Sequence, residues 1–193
     1  MLSAGELMEL HVETLFLHDD AGRMLAVNDV DRRAAPQLFL GRTVEGNIWR
    51  FRHDLSPELV AELEAILADE PLADDLEQPA VTAGRLRQAL SRDAPVESIW
   101  QGPAWHFPER ITLSSDVQPH RVTPEMEFTG DRFTWLADEL DVSQPCFVVL
   151  DGTRIASLCH SSRNAPAAAE AGVETLAAYR RRGYAAAVTA AWA

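Results

Sequence analysis

The sequence has few features of membrane, secreted or metal-binding proteins. No apolar run is long enough to cross a bilayer. The segment from Met1 to Glu9 carries acidic side chains and no basic one, so we expect no signal peptide. Only two cysteines occur and neither lies in a CxxC motif, while the six histidines form no HExxH or similar spacing. We therefore expect no metal site.

Positive charge is also scarce, because 30 acidic residues face 17 basic ones and the formal net charge is -13. Such an acidic chain disfavours duplex nucleic acid, whose phosphates attract basic faces. Basic residues cluster locally at Arg180, Arg181 and Arg182. A cationic spot on an acidic protein favours a small anionic ligand over a polymer. We expect no nucleic-acid or membrane partner and a cytoplasmic location.

With 193 residues, 47% of them hydrophobic, the chain has room for one large domain or two small ones. We divide it into an N-terminal α/β region, residues 1–120, and a C-terminal region, residues 121–193. No internal repeat or low-complexity tract separates them.

Patterns in the N-terminal region predict short strands and two helices. Ser56 as N-cap and Pro57 at the first helical position predict the clearest helix. The acidic, proline-containing stretch 69–79 predicts a solvated loop. We expect four of the five tryptophans, Trp49, Trp100, Trp105 and Trp135, to be packing anchors, or residues 100–107 to wall a substrate pocket. The remaining predictions are strands at 11–17, 24–27, 37–40, 47–52, 97–101 and 110–113, a helix at 84–90, and a connection at 114–124.

The C-terminal region has the stronger patterns. Residues 131–140 predict a helix with Phe133, Leu136, Ala137 and Leu140 inward. Asp151-Gly152 predicts a tight hairpin between strands 146–150 and 154–159. A two-residue turn there would place Cys146 opposite Ser157, so Cys159 would be a diagonal neighbour and the pair reduced. A strand at 169–175, a turn at 176–182 and a helix from Gly183 follow. The fold class is therefore α/β, with a mixed, largely antiparallel sheet and flanking helices.

The segment Arg180–Ala185 is the most informative one. A basic turn that leads into a helix N-terminus presents backbone N–H groups without intrahelical partners, and the helix dipole adds positive charge. A diphosphate accepts such hydrogen bonds. Gly183 has no side chain to block the approach, Ala185 is small, and arginines can add charge-assisted contacts. The alternative is an exposed basic helix start whose arginines are only solvated or pair with the acidic surface of the protein.

In its order of hairpin, strand, turn and helix, the chain resembles the GNAT superfamily of N-acetyltransferases. The family's pyrophosphate signature is Arg or Gln, two residues, Gly, one residue, then Gly or Ala, and Arg180–Ala185 has this spacing. Val173–Thr175 and Tyr179 are similar to the family's strand end and turn. The resemblance covers about residues 133–193, and it implies acetyl-CoA as cosubstrate.

The resemblance also implies site residues. Backbone groups of the strand before the turn pair with the pantetheine arm in this family, which gives that role to Val173, Glu174 and Thr175. The full set implied to bind the cosubstrate is Val173, Glu174, Thr175, Arg180, Arg181, Arg182, Gly183, Tyr184, Ala185 and Ala186.

Acetyl transfer to an amine needs a proton acceptor, which family members often place as a glutamate on that strand. Glu170 is the first candidate for the general base, directly or through water, and Glu174 is the second. Their spacing puts both on one face of a regular strand. The alternative for each is a solvent-facing strand residue. His160 could line the acceptor side, or it could be a hydrogen-bonded residue at a strand end.

The family fold continues beyond this helix with a parallel strand and a further helix and strands that supply a tyrosine general acid. The sequence stops at Ala193 without a helix stop signal. We expect a truncated acetyltransferase, with strand exchange between two copies or a reuse of the fold's first half as alternatives. An exposed strand edge would favour a homodimer.

The leading hypothesis is an N-acetyltransferase that moves an acetyl group from acetyl-CoA to a primary amine of a small molecule or peptide. The second hypothesis is a non-catalytic, regulatory or interaction protein built on an incomplete acetyltransferase fold. A third is a module that binds another nucleotide diphosphate at the same turn.

Overall fold

The computed structural model describes residues 2–73, 75, 77–92, 95–105, 107–108, 110–111 and 117–193. Over these residues the chain is a mixed α/β protein with antiparallel sheets and five α-helices. It divides into two compact units, Met1–Trp105 and His106–Ala193, called the first and second unit below. No described helix combines the length and apolar character that crossing a membrane requires.

The first unit contains two separate antiparallel hairpins, β1-β2 and β3-β4. One apolar cluster joins α1 to the first hairpin around Val12, Leu15 and Met24, and another joins α2 and α3 around Leu63 and Leu67. Its elements are α1 Ala4–Leu15, β1 Phe16–His18, β2 Met24–Val27, β3 Leu38–Arg42, β4 Asn47–Phe51, α2 Pro57–Leu67 and α3 Ala83–Leu90.

The second unit contains one antiparallel sheet with the strand order β5-β6-β7-β8. Its elements are β5 His120–Arg121, α4 Leu136–Glu139, β6 Cys146–Asp151, β7 Arg154–Asn164, β8 Ala169–Thr175, a 3₁₀ turn Ala177–Tyr179 and α5 Tyr184–Trp192. Strand β8 lies at the edge, and no other described strand pairs with its outer side.

Both faces of this sheet are covered by apolar clusters. On one face Phe133 and Leu136 pack against Val148, Ile155 and Leu158. On the other face Val188 of α5 packs against a cluster of strand residues, Val149, Ala156 and Cys159. Helix α5 is thereby fixed by its buried side, and residues 176–183 connect it to the end of β8.

The predicted strand 11–17 is wrong, because α1 occupies most of it and only Phe16–His18 is extended. Ser3 and Glu6 form a capping box in which the Ser3 hydroxyl accepts from the Glu6 N–H and the Glu6 carboxylate accepts from the Ser3 N–H. The β-branched Val12 and Thr14 favour strands locally, but the cap and burial of Val12 and Leu15 outweigh that preference.

Several local predictions are confirmed. Ser56 caps α2 by accepting from the Leu59 N–H at 3.2 Å, and Pro57 is its first residue. The hairpin β3-β4, the strand β2, the helix α3 and the strand β8 also lie where their patterns placed them, with ends shifted by one or two residues.

Other predictions fail. Residues 97–101 form no strand, and Trp100 and Trp105 are 77% and 80% exposed, so these two are not packing anchors. The helix predicted at 131–140 is reduced to α4, and Ala137 is exposed. The strand β5 lies inside the predicted connection 114–124. The strand predicted at 110–113 extends outside the described residues.

The β6-β7 hairpin forms, but with another register. Asp151 pairs with Arg154, so Gly152 and Thr153 are the loop residues, and a bulge at Ala156 shifts the pairing further. Cys146 therefore lies opposite His160 and not opposite Ser157. It packs on one face of the sheet and Cys159 on the other. Both thiols are free, as expected for a reduced pair, and the structure buries both of them.

Candidate functional site

The turn between β8 and α5 brings the predicted ligand-binding residues together. Arg180, Arg181, Arg182 and Gly183 are exposed in succession. Gly183 is the N-cap of α5 with a φ of 79°, a left-handed conformation that glycine adopts without strain. Arg181 adopts a positive φ of 63° as well. Two left-handed residues in four turn the chain sharply and leave its backbone open to solvent.

The N-terminus of α5 has no side-chain cap. Its first intrahelical bond runs from the Ala187 N–H to the Gly183 carbonyl at 3.0 Å. The N–H groups of Tyr184, Ala185 and Ala186 precede that bond, and Ala185 and Ala186 are exposed. These donors are positioned to bind an anion in the turn.

The three arginines of the turn differ in their contacts. The Arg180 Nε donates to the Thr175 carbonyl at 3.2 Å, which holds the turn against the end of β8. The Arg182 guanidinium lies 5.5 Å from the centre of the Tyr179 ring. Arg181 makes no hydrogen bond, ion pair or ring contact with any residue that the structure describes. It is therefore the arginine with most freedom to meet a ligand.

Tyr179 connects the turn to two neighbouring elements. Its hydroxyl donates to the Asp151 carboxylate at 2.7 Å, and this hydrogen bond raises the pKa of Tyr179. Its ring stacks with that of Tyr184 at 6.3 Å and an interplanar angle of 23°. The turn is thus tied both to β6 and to the first residue of α5.

Strand β8 carries the predicted pantetheine-binding residues. Val173 is 45% exposed on the edge strand. The Thr175 hydroxyl lies 2.8 Å from the Ser157 hydroxyl, and the Ser157 hydroxyl also donates to the Glu174 carbonyl at 3.1 Å. Hydrogen bonds from Ser157 on β7 therefore fix this end of β8, whereas no described strand pairs with the outer edge of β8.

The two candidate bases lie on one face of β8, but neither carboxylate is free. Glu170 forms an ion pair with Arg163 and accepts from the Ser162 hydroxyl at 3.1 Å. Glu174 accepts from the Arg132 Nε at 2.6 Å. Arg132 lies far from the strand in sequence, so the pattern around β8 gave no sign of this pairing.

His160 lies between these glutamates on the neighbouring strand. It pairs with Gly172 across β7-β8, and its ring contacts the Trp135 ring with centres 4.9 Å apart. Burial lowers the pKa of His160, and its contact with the Ser161 backbone offsets part of that effect. The ring is thus held in its neutral form near neutral pH.

The environment of the two cysteines makes both of them poor nucleophiles. Burial raises the pKa of Cys146 to about 12 and that of Cys159 to about 11, so neither thiol ionises near neutral pH. The described residues contain no group of three or more metal-ligating side chains.

No protein-family model matches this chain, and no curated protein or solved structure matches it either. The resemblance to the GNAT superfamily therefore depends on the residues of the turn and on the elements around them.

Proposed function

We propose that the chain is an N-acetyltransferase of GNAT type that transfers the acetyl group of acetyl-CoA to a primary amine. The observation that carries the proposal is the exposed turn Arg180–Gly183 between the edge strand β8 and the uncapped N-terminus of α5. The pyrophosphate would accept from the N–H groups of Tyr184, Ala185 and Ala186. The pantetheine arm would lie along β8 at Val173.

The acceptor proposed is an amine because of the charge around a cavity in the second unit. This cavity of about 680 Å³ has Glu127, Asp138 and Asp141 in its lining beside apolar Phe133 and Leu136. Ile155 joins the lining and lies in the same apolar cluster as Leu158, which pairs with Glu174. Carboxylates beside apolar surface suit a cationic amine with a hydrocarbon portion. A cytoplasmic location accompanies this proposal.

The direct test is acetyl-CoA titration by calorimetry on the wild-type chain and on Gly183→Glu. The variant places bulk and negative charge in the turn, and we expect at least about a tenfold loss of affinity. Because any side chain at a φ of 79° adds strain, Gly183→Ala is the matched control for backbone effects. Unchanged affinity in Gly183→Glu would refute the assignment of the turn.

A second function is a non-catalytic acyl-CoA-binding protein with a regulatory or interaction role. The ion pairs of Glu170 with Arg163 and of Glu174 with Arg132 favour it, because both predicted bases are already engaged. Release of free thiol from acetyl-CoA with a panel of amines separates the two functions. Tight binding without thiol release would favour the second one, and competition by ATP as strong as by CoA would favour a general nucleotide site.

A further inference from the structure

Gly172 leaves the space in which the His160 ring lies. A Cβ atom built on Gly172 would come within 2.4 Å of the His160 Nε2 and 2.8 Å of its Cδ2, closer than real contacts allow. The imidazole therefore lies across the backbone of β8, with Nε2 as the ring atom nearest to where a side chain would project. That position is on the edge strand, one residue before Val173.

The ring is held from its other sides as well. The Trp135 ring lies against it at 4.9 Å and an angle of 52°. The Nδ1 atom is buried. With Nδ1 enclosed, Nε2 is the nitrogen that remains to exchange a proton, and burial keeps the ring neutral as a base must be.

The two neighbouring glutamates differ from His160 in having charged partners. Glu170 and Glu174 flank Gly172 on the same face of β8, and each is paired with an arginine. In each pair an arginine nitrogen donates to a carboxylate oxygen, so that oxygen is already engaged as an acceptor. Of the three titratable side chains around Gly172, only His160 lacks a charged partner among the described residues.

We propose that His160 is the general base of the acetyl transfer, a proposal that depends on the function given above. The neutral Nε2 takes one proton from the bound ammonium group. The resulting amine nitrogen attacks the thioester carbonyl carbon, the carbon–nitrogen bond forms and the carbon–sulfur bond breaks. The thiolate of CoA leaves and takes up a second proton from this nitrogen, which keeps one hydrogen as an amide, and the imidazolium returns its proton to solvent.

The first test compares His160→Gln with wild type in a thiol-release assay, using acetyl-CoA and the amine that wild type acetylates best from a panel of tyramine, spermidine and a short peptide. We expect kcat to fall about 10²- to 10⁴-fold, the range for loss of a general base. The affinity for acetyl-CoA should stay unchanged, because the structure describes no contact between His160 and the turn Arg180–Gly183. Glu170→Gln and Glu174→Gln serve as comparators.

The pH profile gives a readout that a structural role would not change. The pKa of His160 is lowered from its ordinary value of 6.5. Wild-type kcat should therefore be at its maximum above pH 6.5, and it should decrease when the pH is lowered far enough below 6.5 to protonate the ring. His160→Gln should lose this inflection. The charged and titratable groups of the elements around the ring are Cys146 on β6, Arg163 on β7, Glu170 and Glu174 on β8, Arg132 before α4, and Asp138 and Glu139 within it.

Gly172→Ala tests the geometry without changing any ionisable group. The added methyl must displace the ring, so we expect a loss of kcat comparable to that of His160→Gln. The double variant should be no worse than either single one, since both act on the same group. Gly84→Ala is the control, because a Cβ there meets nothing within 4 Å.

The outcomes distinguish a failure of the role of His160 from a failure of the proposed acetyltransferase function. If wild type fails to bind acetyl-CoA, or binds it without acetylating any amine, the transferase function fails and the role of His160 with it. If wild type acetylates an amine and a folded His160→Gln keeps kcat within about threefold, only the role of His160 is refuted. A larger loss in Glu170→Gln or Glu174→Gln than in His160→Gln would move the base to that carboxylate.

Discussion

Two glutamates, one in each unit, are paired with arginines in opposite environments. Glu70 in the first unit has no exposed side-chain surface, and its carboxylate lies 3.3 Å from Arg42. It also accepts from the Thr82 N–H at 2.8 Å, the Thr82 hydroxyl at 2.7 Å and the Val81 N–H at 3.1 Å. Glu174 in the second unit is 38% exposed and its partner Arg132 is 67% exposed.

The two environments distinguish a buried carboxylate with a structural role, Glu70, from a partly exposed carboxylate that solvent or a ligand can reach, Glu174. Glu70 has enough partners to offset the cost of burying its charge. It fixes the loop before α3 to β3, and both of its carboxylate oxygens already have partners. Around β8, by contrast, the turn, the helix N-terminus and Val173 are open, which is the arrangement that a binding site requires.

The largest expected effect comes from Glu70→Leu. This change leaves the largely buried Arg42 and the N–H groups of Val81 and Thr82 without their carboxylate partner, and we expect the first unit to lose about 3–5 kcal/mol of stability. Urea unfolding of the full chain, followed by far-UV circular dichroism, measures the loss. Glu70→Gln keeps the acceptor oxygen and should lose less, and a Glu70→Leu change below about 1 kcal/mol would contradict the structural role of the carboxylate.

The same residue gives a pH dependence of known sign. Burial alone would raise the pKa of Glu70, but the hydrogen bonds from Thr82 and Val81 and the charge of Arg42 together lower it. Because its folded pKa lies below the unfolded one, its contribution is complete above the unfolded value of about 4.3 and is lost as the pH falls through the folded value. The acid sensitivity should be weaker in Glu70→Gln.

The sequence predicts elements whose determinants are local. Ser56 and Pro57 specify the start of α2, and the Arg180–Ala185 spacing specifies the turn before α5. Glu70 lies in the stretch 69–79, which the sequence predicts as a solvated loop, whereas the structure buries its side chain. Its partner Arg42 is distant in sequence. A pattern within the loop cannot reveal a pairing of this kind.

The same reason explains what was missed at the candidate site. The strand β8 and the placement of Glu170 and Glu174 on one face follow from alternation. Their arginine partners do not, and neither does the contact of Trp135 with His160, because each involves a segment that the fold brings in from elsewhere. The predicted hairpin register is wrong for two reasons: the loop residues are Gly152 and Thr153, and a bulge at Ala156 shifts the pairing by one more residue.

An intermediate effect is expected at the start of α1, whose N-terminus is capped where that of α5 is not. Ser3→Ala removes the acceptor of the Glu6 N–H at 3.2 Å, and we expect a loss of about 1 kcal/mol from the first unit. Ser3→Asp preserves a capping oxygen and is the control. If Ser3→Ala left the urea midpoint unchanged, the capping box would not contribute to α1, and the comparison between the two helix starts would lose its basis.

The smallest effect is expected at Glu174, where the comparison with Glu70 is sharpest. Glu174→Gln removes one charge of an ion pair that water and salt screen, so its effect on the urea midpoint should be far below that of Glu70→Leu. Arg132→Gln and the double variant complete a cycle that isolates the pair, and its coupling should vanish in high salt. A coupling as large as the Glu70→Leu effect would show that Glu174 has the same structural role as Glu70. A small coupling means that the Glu174 carboxylate can release Arg132 at little cost, as its proposed position beside the cosubstrate requires.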